Sequence, residues 1–392
     1  MEMQKEVKAT LVEELIASNE PRISWYHRMQ ETQPVHYRPE YNLWEVFRYK
    51  DVQQVLLDYN TFAVDSRLQP GFPSTLGRFD PPRHRQLRGL VSKVFTPRRV
   101  EELTPRLIQI VDELLGPALD KRKMDVAREL TYPLPISVIA AMLGLPPEDQ
   151  GRFRQWSYQL FYQFIGICKP ENSELLQYFS ELLDKRKLDP HDDLISGLLA
   201  AEENGAYLTR EEIIDLCLEL MWAGNVATTM LLNYTLSRLC QHPEMYQALR
   251  DDPSLIPGVL EETLRCDFSL NTIWRTARHD TVFNGHEIKA GEAVVAWTAA
   301  ANVDETYFPH SEQFDIRRSP NPHLLFGHGC HFCLGASLAR LQGRIALERI
   351  VAHFSEIGLD PESPVQYMDG MEALKVFQSL GIVCTPAVPA AL

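Results

Sequence analysis

Cys333 stands in the run Phe326-Gly327-His328-Gly329-Cys330-His331-Phe332-Cys333-Leu334-Gly335, and a cysteine that ionises becomes a strong metal ligand. Three glycines keep this stretch free of side-chain bulk and permit dihedral angles that other residues avoid, as a loop against a flat cofactor requires. The residues that follow, Ala336-Ser337-Leu338-Ala339-Arg340-Leu341, read as the opening of a helix. Backbone N–H groups and the positive end of that helix would stabilise a sulfur anion. The stretch therefore reads as a thiolate loop that binds iron.

Other chemistries share these residue types. A free cysteine can simply pack in a core. Cys330 and Cys333 also form a CxxC flanked by His328 and His331, which raises zinc binding or dithiol exchange. Structural zinc sites use four ligands in two separated pairs, and no second CxxC, CxxH or HxxxH pair exists elsewhere in the chain. No βαβ pattern of the thioredoxin kind adjoins the CxxC. Covalent haem attachment needs Cys-x-x-Cys-His, whereas Leu334 follows Cys333. One thiolate for one iron is what remains.

The elements that must position this loop are mostly helical, with a few short strands near the beginning and in the last third. The pattern predicts a mainly α fold with minor β. Val35 to Tyr37 and Leu43 to Arg48 alternate like paired strands, and Asp51 to Leu57 reads as a helix. Residues Val64 to Gly77, with Pro70, Gly71, Pro73 and Gly77, predict a long irregular loop. Pro81-Pro82 opens a helix bearing His84 and Arg88, and Thr96-Pro97 starts another that runs toward Leu115. Pro147 to Ile167 is an aromatic-rich helical segment with Trp156, Tyr158, Phe161, Tyr162 and Phe164, which either packs in the core or lines a pocket. Thr209 with Glu212 makes a capping box, and apolar residues then persist from Ile213 to Leu239. That predicts a buried helix of about 30 residues, roughly 45 Å long, through the middle of the molecule.

Bulk properties set outer limits. The chain has 392 residues, 45% hydrophobic and 23% charged, enough for a large core, and no linker or repeat divides it, so residues 1–392 read as one domain. A net charge of -14 argues against a general nucleic-acid binder. The charged start Met1-Glu2-Met3-Gln4-Lys5-Glu6 and the absence of any apolar run of about 18 residues predict no membrane anchor. Seven scattered cysteines without a disulfide framework fit a reducing cytoplasm.

The loop resembles the haem-binding loop of the cytochrome P450 family. The family's pattern Phe-Gly-x-Gly-x-(His or Arg)-x-Cys-x-Gly is met at Phe326, Gly327, Gly329, His331, Cys333 and Gly335. The resemblance implies the cytochrome P450 fold, with haem b held between a long central helix and the cysteine loop, and Cys333 as axial ligand of the iron. A thiolate there favours O–O cleavage. It further implies His84, Arg88, Arg275, His323 and His331 as partners of the haem propionates. Glu262 and Arg265 match its structural Glu-x-x-Arg pair and Arg318 its downstream arginine, although an ExxR alone would most simply be a solvated pair. The roof of the substrate pocket falls to the 64–77 loop and the aromatic segment, which suggests a large apolar substrate. The implied activity is a monooxygenase that activates dioxygen with electrons from a ferredoxin or flavodoxin and its reductase, docked near Arg83, Arg85 and Arg340.

One stretch departs from the family. The central helix usually reads Ala-Gly-x-(Asp or Glu)-Thr-Thr, whose acid and first alcohol relay protons to the dioxygen being activated. Here it reads Ala223-Gly224-Asn225-Val226-Ala227-Thr228, so Val226 replaces the acid and Ala227 the alcohol. Neither can relay a proton, and Thr228 lies about 100° around the helix from position 227. Substrate and dioxygen are expected against Ala223, Gly224 and Ala227. A substrate hydroxyl with ordered water, peroxide-driven oxidation, and oxidative coupling or desaturation all stay open, as does a haem-binding sensor or carrier without turnover. Peroxide-using relatives place an arginine in this helix, and none lies between Ile213 and Leu236.

Overall fold

Arg210–Gln241 is one unbroken helix of 32 residues, about 48 Å long. The Thr209 hydroxyl accepts from the Glu212 N–H at 3.2 Å, and the Glu212 carboxylate accepts from the Thr209 N–H at 2.9 Å, so the predicted capping box closes both ways. In the computed structural model, which describes residues 21–64, 76–164, 173–203, 205–268, 272–368 and 375–387, this helix is the axis of the fold. The helices Pro133–Met142, Gln150–Phe164, Ile256–Cys266 and Ala336–His353 all pack against it. Leu216, Leu218, Met221, Leu231, Leu232 and Leu236 are buried at these contacts.

The helix also buries polar side chains, and Asn225, Thr229 and Asn233 among them find partners. The Asn225 amide donates to Ser157 Oγ at 3.3 Å, the Thr229 hydroxyl to the Thr131 carbonyl at 2.9 Å, and the Thr131 hydroxyl to Asn233 Oδ1 at 2.6 Å. These bonds satisfy groups whose burial would otherwise be costly, and they fix the helix's rotation about its axis.

The strands are short and stand to one side. Five of them form a sheet in the order Val35–Arg38, Leu43–Val46, Ala293–Ala296, Ile273–Ala277, Phe62–Ala63. Only the pairing of Leu43–Val46 with Ala293–Ala296 is parallel. Glu45 is fully buried in this sheet between the Arg38 guanidinium at 2.5 Å and the Trp297 indole N–H at 2.9 Å. Hairpin Gln366–Tyr367 with Phe377–Ser379 lies over the central helix, where Phe377 meets Tyr234 ring to ring.

Two expectations need adjusting. The helix predicted from Thr96 toward Leu115 is two helices, Pro97–Glu101 and Thr104–Lys121. Pro105 lacks an N–H and disfavours helical geometry before it, so the chain stops and restarts there. The aromatic segment is helical over Gln150–Phe164, with Trp156 buried against core residues and capped by Arg152 at 4.9 Å. The loop at 65–75 and the side chains of Phe161, Tyr162 and Phe164 lie outside the described residues. No helix among the described residues is long and apolar enough to cross a membrane.

Candidate active site

Two glycines shape the cysteine loop. Gly327 (φ +72°) and Gly329 (φ +74°) take left-handed conformations, and a side chain on Gly329 would press within 3.2 Å of the Leu56 carbonyl. The chain folds back so that the Cys333 N–H donates to the Phe326 carbonyl at 2.8 Å, with Gly329–His331 as a single tight turn between them. This brings Sγ to the start of the helix Ala336–His353. Burial pushes the Cys333 thiol up, against the opposing pull of the Gly335 amide, Arg88, Arg340 and the Ala336 amide. A metal cation at the sulfur would tip that balance to thiolate.

Ala223 and Ala227, one turn apart, are exposed in the middle of a helix whose Asn225, Thr228 and Thr229 are buried. A helix enclosed by other helices shows exposed side chains only where a hollow adjoins it. Arg88 is close enough to feel the charges of Cys333, Cys330 and Glu219, so the loop and the central helix face each other across it. Gly224 has a different job from the one expected. A Cβ there would come within 2.9 Å of Ile139 Cδ1, so its missing side chain lets the Pro133–Met142 helix approach rather than a flat ring. Thr228 is buried and turned away from the opening.

On the edge of the hollow sit His84, His331, Arg88 and Arg275. His84 is buried with its Nδ1 unpartnered, 4.2 Å ring to ring from His331. Its pKa is pushed down to about 4 by burial and by the charges of His331 and Arg88, so it stays neutral at pH 7. His331 is held by Asp80 at 3.0 Å, and Asp80 is held in turn by Arg278 at 2.5 Å. Burial lowers the pKa of Arg88 and of Arg275, and no ion pair with a carboxylate offsets it for either among the described residues. Two shielded cations beside an orphaned imidazole nitrogen make a receptor for anionic oxygens. His84, Cys330 and His331 also bring ligand atoms within 4.8 Å of one another, one ligand short of a structural zinc set.

His323 is not part of that receptor. Its Nε2 lies 3.1 Å from Glu261 and its Nδ1 accepts from the Leu325 N–H at 3.4 Å, so both nitrogens brace the loop. Arg340 reaches the same carboxylate at 2.6 and 2.8 Å and stacks over Phe326 at 4.7 Å. Sequence reasoning missed Glu261, the neighbour of the ExxR glutamate. Its place on the adjoining helix face was the available signal. Burial alone would raise the Glu261 carboxyl, but Arg340 and His323 hold it down to about 2. A carboxyl depressed from 4.5 stabilises the fold fully above that pH and loses the contribution as pH falls toward 2. The urea midpoint of Glu261→Gln is therefore expected below wild type at pH 7, with the gap narrowing as pH falls below 4.5 and closing only near pH 2.

The Glu262–Arg265 pair is not solvated as an isolated ExxR would be. Both side chains are fully buried, and Arg318 joins Glu262 at 3.1 Å.

A sequence model described as Cytochrome P450 matches residues 152–376. The chain is 38% identical over 355 residues to the erythromycin C-12 hydroxylase of Saccharopolyspora erythraea, covering 86% of this chain and 88% of that one. It is 37% identical over 362 residues to the cyclomarin C epoxidase of Salinispora arenicola, covering 88% and 91%. This chain belongs to the cytochrome P450 family. Among solved structures, this cytochrome P450 matches ligand-free TbtJ1 with a TM-score of 0.84 at 38% identity over 92% of this chain and 96% of that one. It matches CYP109E1 of Bacillus megaterium bound to testosterone with a TM-score of 0.84 at 34% identity over 93% and 99%. Cytochromes P450 are haem-thiolate monooxygenases with haem b as cofactor, and they draw electrons from a redox partner. The hollow fits that group, because it has a sulfur on one side, paired alanines on the other and unpaired cations at its edge.

Proposed function

We propose that this cytochrome P450 hydroxylates a hydrophobic small molecule of bacterial secondary metabolism, with Cys333 as the thiolate that would hold the haem iron. The supporting observation is the Cys333 sulfur at the Gly335 and Ala336 amides, with Arg88 within charge reach of both that loop and the central helix that bears exposed Ala223 and Ala227. When bound, the haem supplies dioxygen activation, with one oxygen atom entering product and the other leaving as water after uptake of two electrons and two protons. His84, Arg88, Arg275 and His331 would hold the propionates, with His331 oriented by Asp80. Ala223 and Ala227 leave room for substrate. The electrons come from a ferredoxin or flavodoxin with its reductase. Of the arginines considered for docking, Arg83 pairs with Glu212 and Arg340 with Glu261, which leaves exposed Arg85 as the charge a partner meets first. The reduced, carbon-monoxide-bound spectrum tests the ligand assignment, and turnover with a surrogate ferredoxin against hydrogen peroxide tests the electron source. No thiolate-type spectrum would overturn the first, and faster product formation with peroxide the second.

Ala227 puts no alcohol at the reacting face, so a hydroxyl of the substrate with its bound water carries the protons. With a probe lacking hydroxyls, Ala227→Thr is expected to raise product formed per dioxygen consumed at least about threefold, since a positioned proton donor contributes about 10²-fold or more. Dioxygen consumption measured against product provides the check, and an unchanged ratio would mean that protons arrive by another path.

A further inference from the structure

The helix Arg83–Val94 and the turn Gly329–His331 meet at three side chains that can each ligate a metal. One ligand atom from each of His84, Cys330 and His331 lies within 4.8 Å of the other two, and among the described residues this is the one such group of histidines, cysteines and carboxylates. Donors around a tetrahedral zinc stand about 3.3 to 3.8 Å apart, so side-chain rotations of about 1 Å close the set. His84 is 2% exposed and its Nδ1 has no partner, a costly state for a buried nitrogen. Asp80 also pairs with Arg278, so its carboxylate can only accept; His331 Nε2 donates to it at 3.0 Å, and His331 Nδ1 keeps its lone pair. An imidazole held in this way by a carboxylate at its far nitrogen is the usual form of a metal-ligating histidine. Cys330 supplies a free, part-buried thiol.

We propose that, before haem enters the chain, His84, Cys330 and His331 bind a zinc-class dication with water as the fourth ligand, and that this metal holds haem off. The competition rests on the reading of His84 and His331 as propionate partners, because a ring nitrogen bonded to a metal can no longer donate to a propionate. Ligation releases the Cys330 proton to solvent, and no electrons move. Arg88 and Arg275 border the set and repel cations, but the Cys330 thiolate and the Asp80 carboxylate together match the two charges of the metal. Two nitrogens and one sulfur favour zinc-class metals over magnesium and calcium, which prefer oxygen donors.

The full chain, prepared free of haem, is titrated with cobalt(II) and with zinc. Cobalt is expected to give the intense near-ultraviolet band of a thiolate-bound metal, which zinc then abolishes by displacing it. Cys330→Ser should lose the band, and Cys330→Ser and His84→Ala should each weaken zinc binding at least about tenfold. Cys333→Ser should keep both properties, because Cys333 is outside the set. One equivalent of zinc should slow haem uptake, followed by its Soret absorption, at least about fivefold in wild type and less than about twofold in Cys330→Ser. Magnesium should do neither. In cells grown with added zinc, wild type should be recovered with less haem than Cys330→Ser, a readout that needs no stable haem-free chain. A band that survives in Cys330→Ser, zinc that binds without slowing haem, or equal haem contents from zinc-fed cells overturns the proposal and leaves the haem reading intact. A haem-loaded wild type without the thiolate-type carbon-monoxide spectrum overturns the haem reading instead, since metal binding is measured with no haem present.

Discussion

Replacing Cys333 with serine is expected to remove the thiolate-type absorption of the reduced, carbon-monoxide-bound enzyme and to cut monooxygenase kcat/KM by at least about 10³-fold, roughly 4 kcal/mol of transition-state stabilisation. A serine hydroxyl is nearly isosteric, so the backbone bond from Cys333 to Phe326 and the left-handed turns at Gly327 and Gly329 should persist. What changes is the donor. A neutral hydroxyl has neither the charge nor the softness of sulfur, and the amides of Gly335 and Ala336 then face no anion. Circular dichroism should therefore stay close to wild type while the spectrum and turnover collapse together. A variant that kept the thiolate-type band would move the ligand elsewhere, with Cys330 the nearest thiol in the loop.

Replacing Glu262 with glutamine should destabilise the fold by about 3–5 kcal/mol, the usual cost of breaking a buried ion pair. Glu262 accepts from Arg265 at 2.6 and 2.9 Å, from Arg318 at 3.1 Å, from the Asp315 N–H at 3.0 Å and from Asn321 at 3.0 Å. Arg265 in turn donates to the carbonyls of Asn302 and Ser311 at 2.9 Å and of Gln313 at 3.1 Å. With the carboxylate gone, a fully buried guanidinium loses its counter-charge, and the segment from 302 to 321 that leads into the cysteine loop loses its brace. The double variant Glu262→Met with Arg265→Met should recover only part of the loss, because the carbonyls of Asn302 and Ser311 lose the Arg265 donor even though the charge problem is gone. Urea unfolding of the two variants measures both effects. Full recovery in the double variant would show that the pair serves charge balance alone and does not hold the segment.

Much of this site was legible in one dimension. The family reading rests on six positions within ten residues, and the comparisons uphold it together with the mainly α fold and the haem cofactor. The central helix was visible because a capping box and sustained apolarity are both local patterns, and its observed bounds lie close to the expected ones. The break between Pro97–Glu101 and Thr104–Lys121 has a local signal in Pro105, which interrupts an otherwise helical stretch.

What stayed hidden concerns orientation and partners. His323 and His331 are histidines of one loop and look interchangeable in the chain, but one braces Glu261 and the other is aimed by Asp80 at the edge of the hollow. Gly224 and Ala223 are adjacent small residues, yet the 100° between successive helix positions sends one toward Ile139 and the other toward the opening. Residue identity, spacing and periodicity are properties of neighbours along the chain, so they established the ligand loop, the family and the long helix before any folding was considered. Burial, charge balance and the choice of hydrogen-bond partner depend on groups that meet only when the chain closes on itself, as His331 and Asp80 do across 251 positions. Those contacts alone decided that the ExxR pair is fully desolvated and that Arg83 and Arg340 are already paired with Glu212 and Glu261.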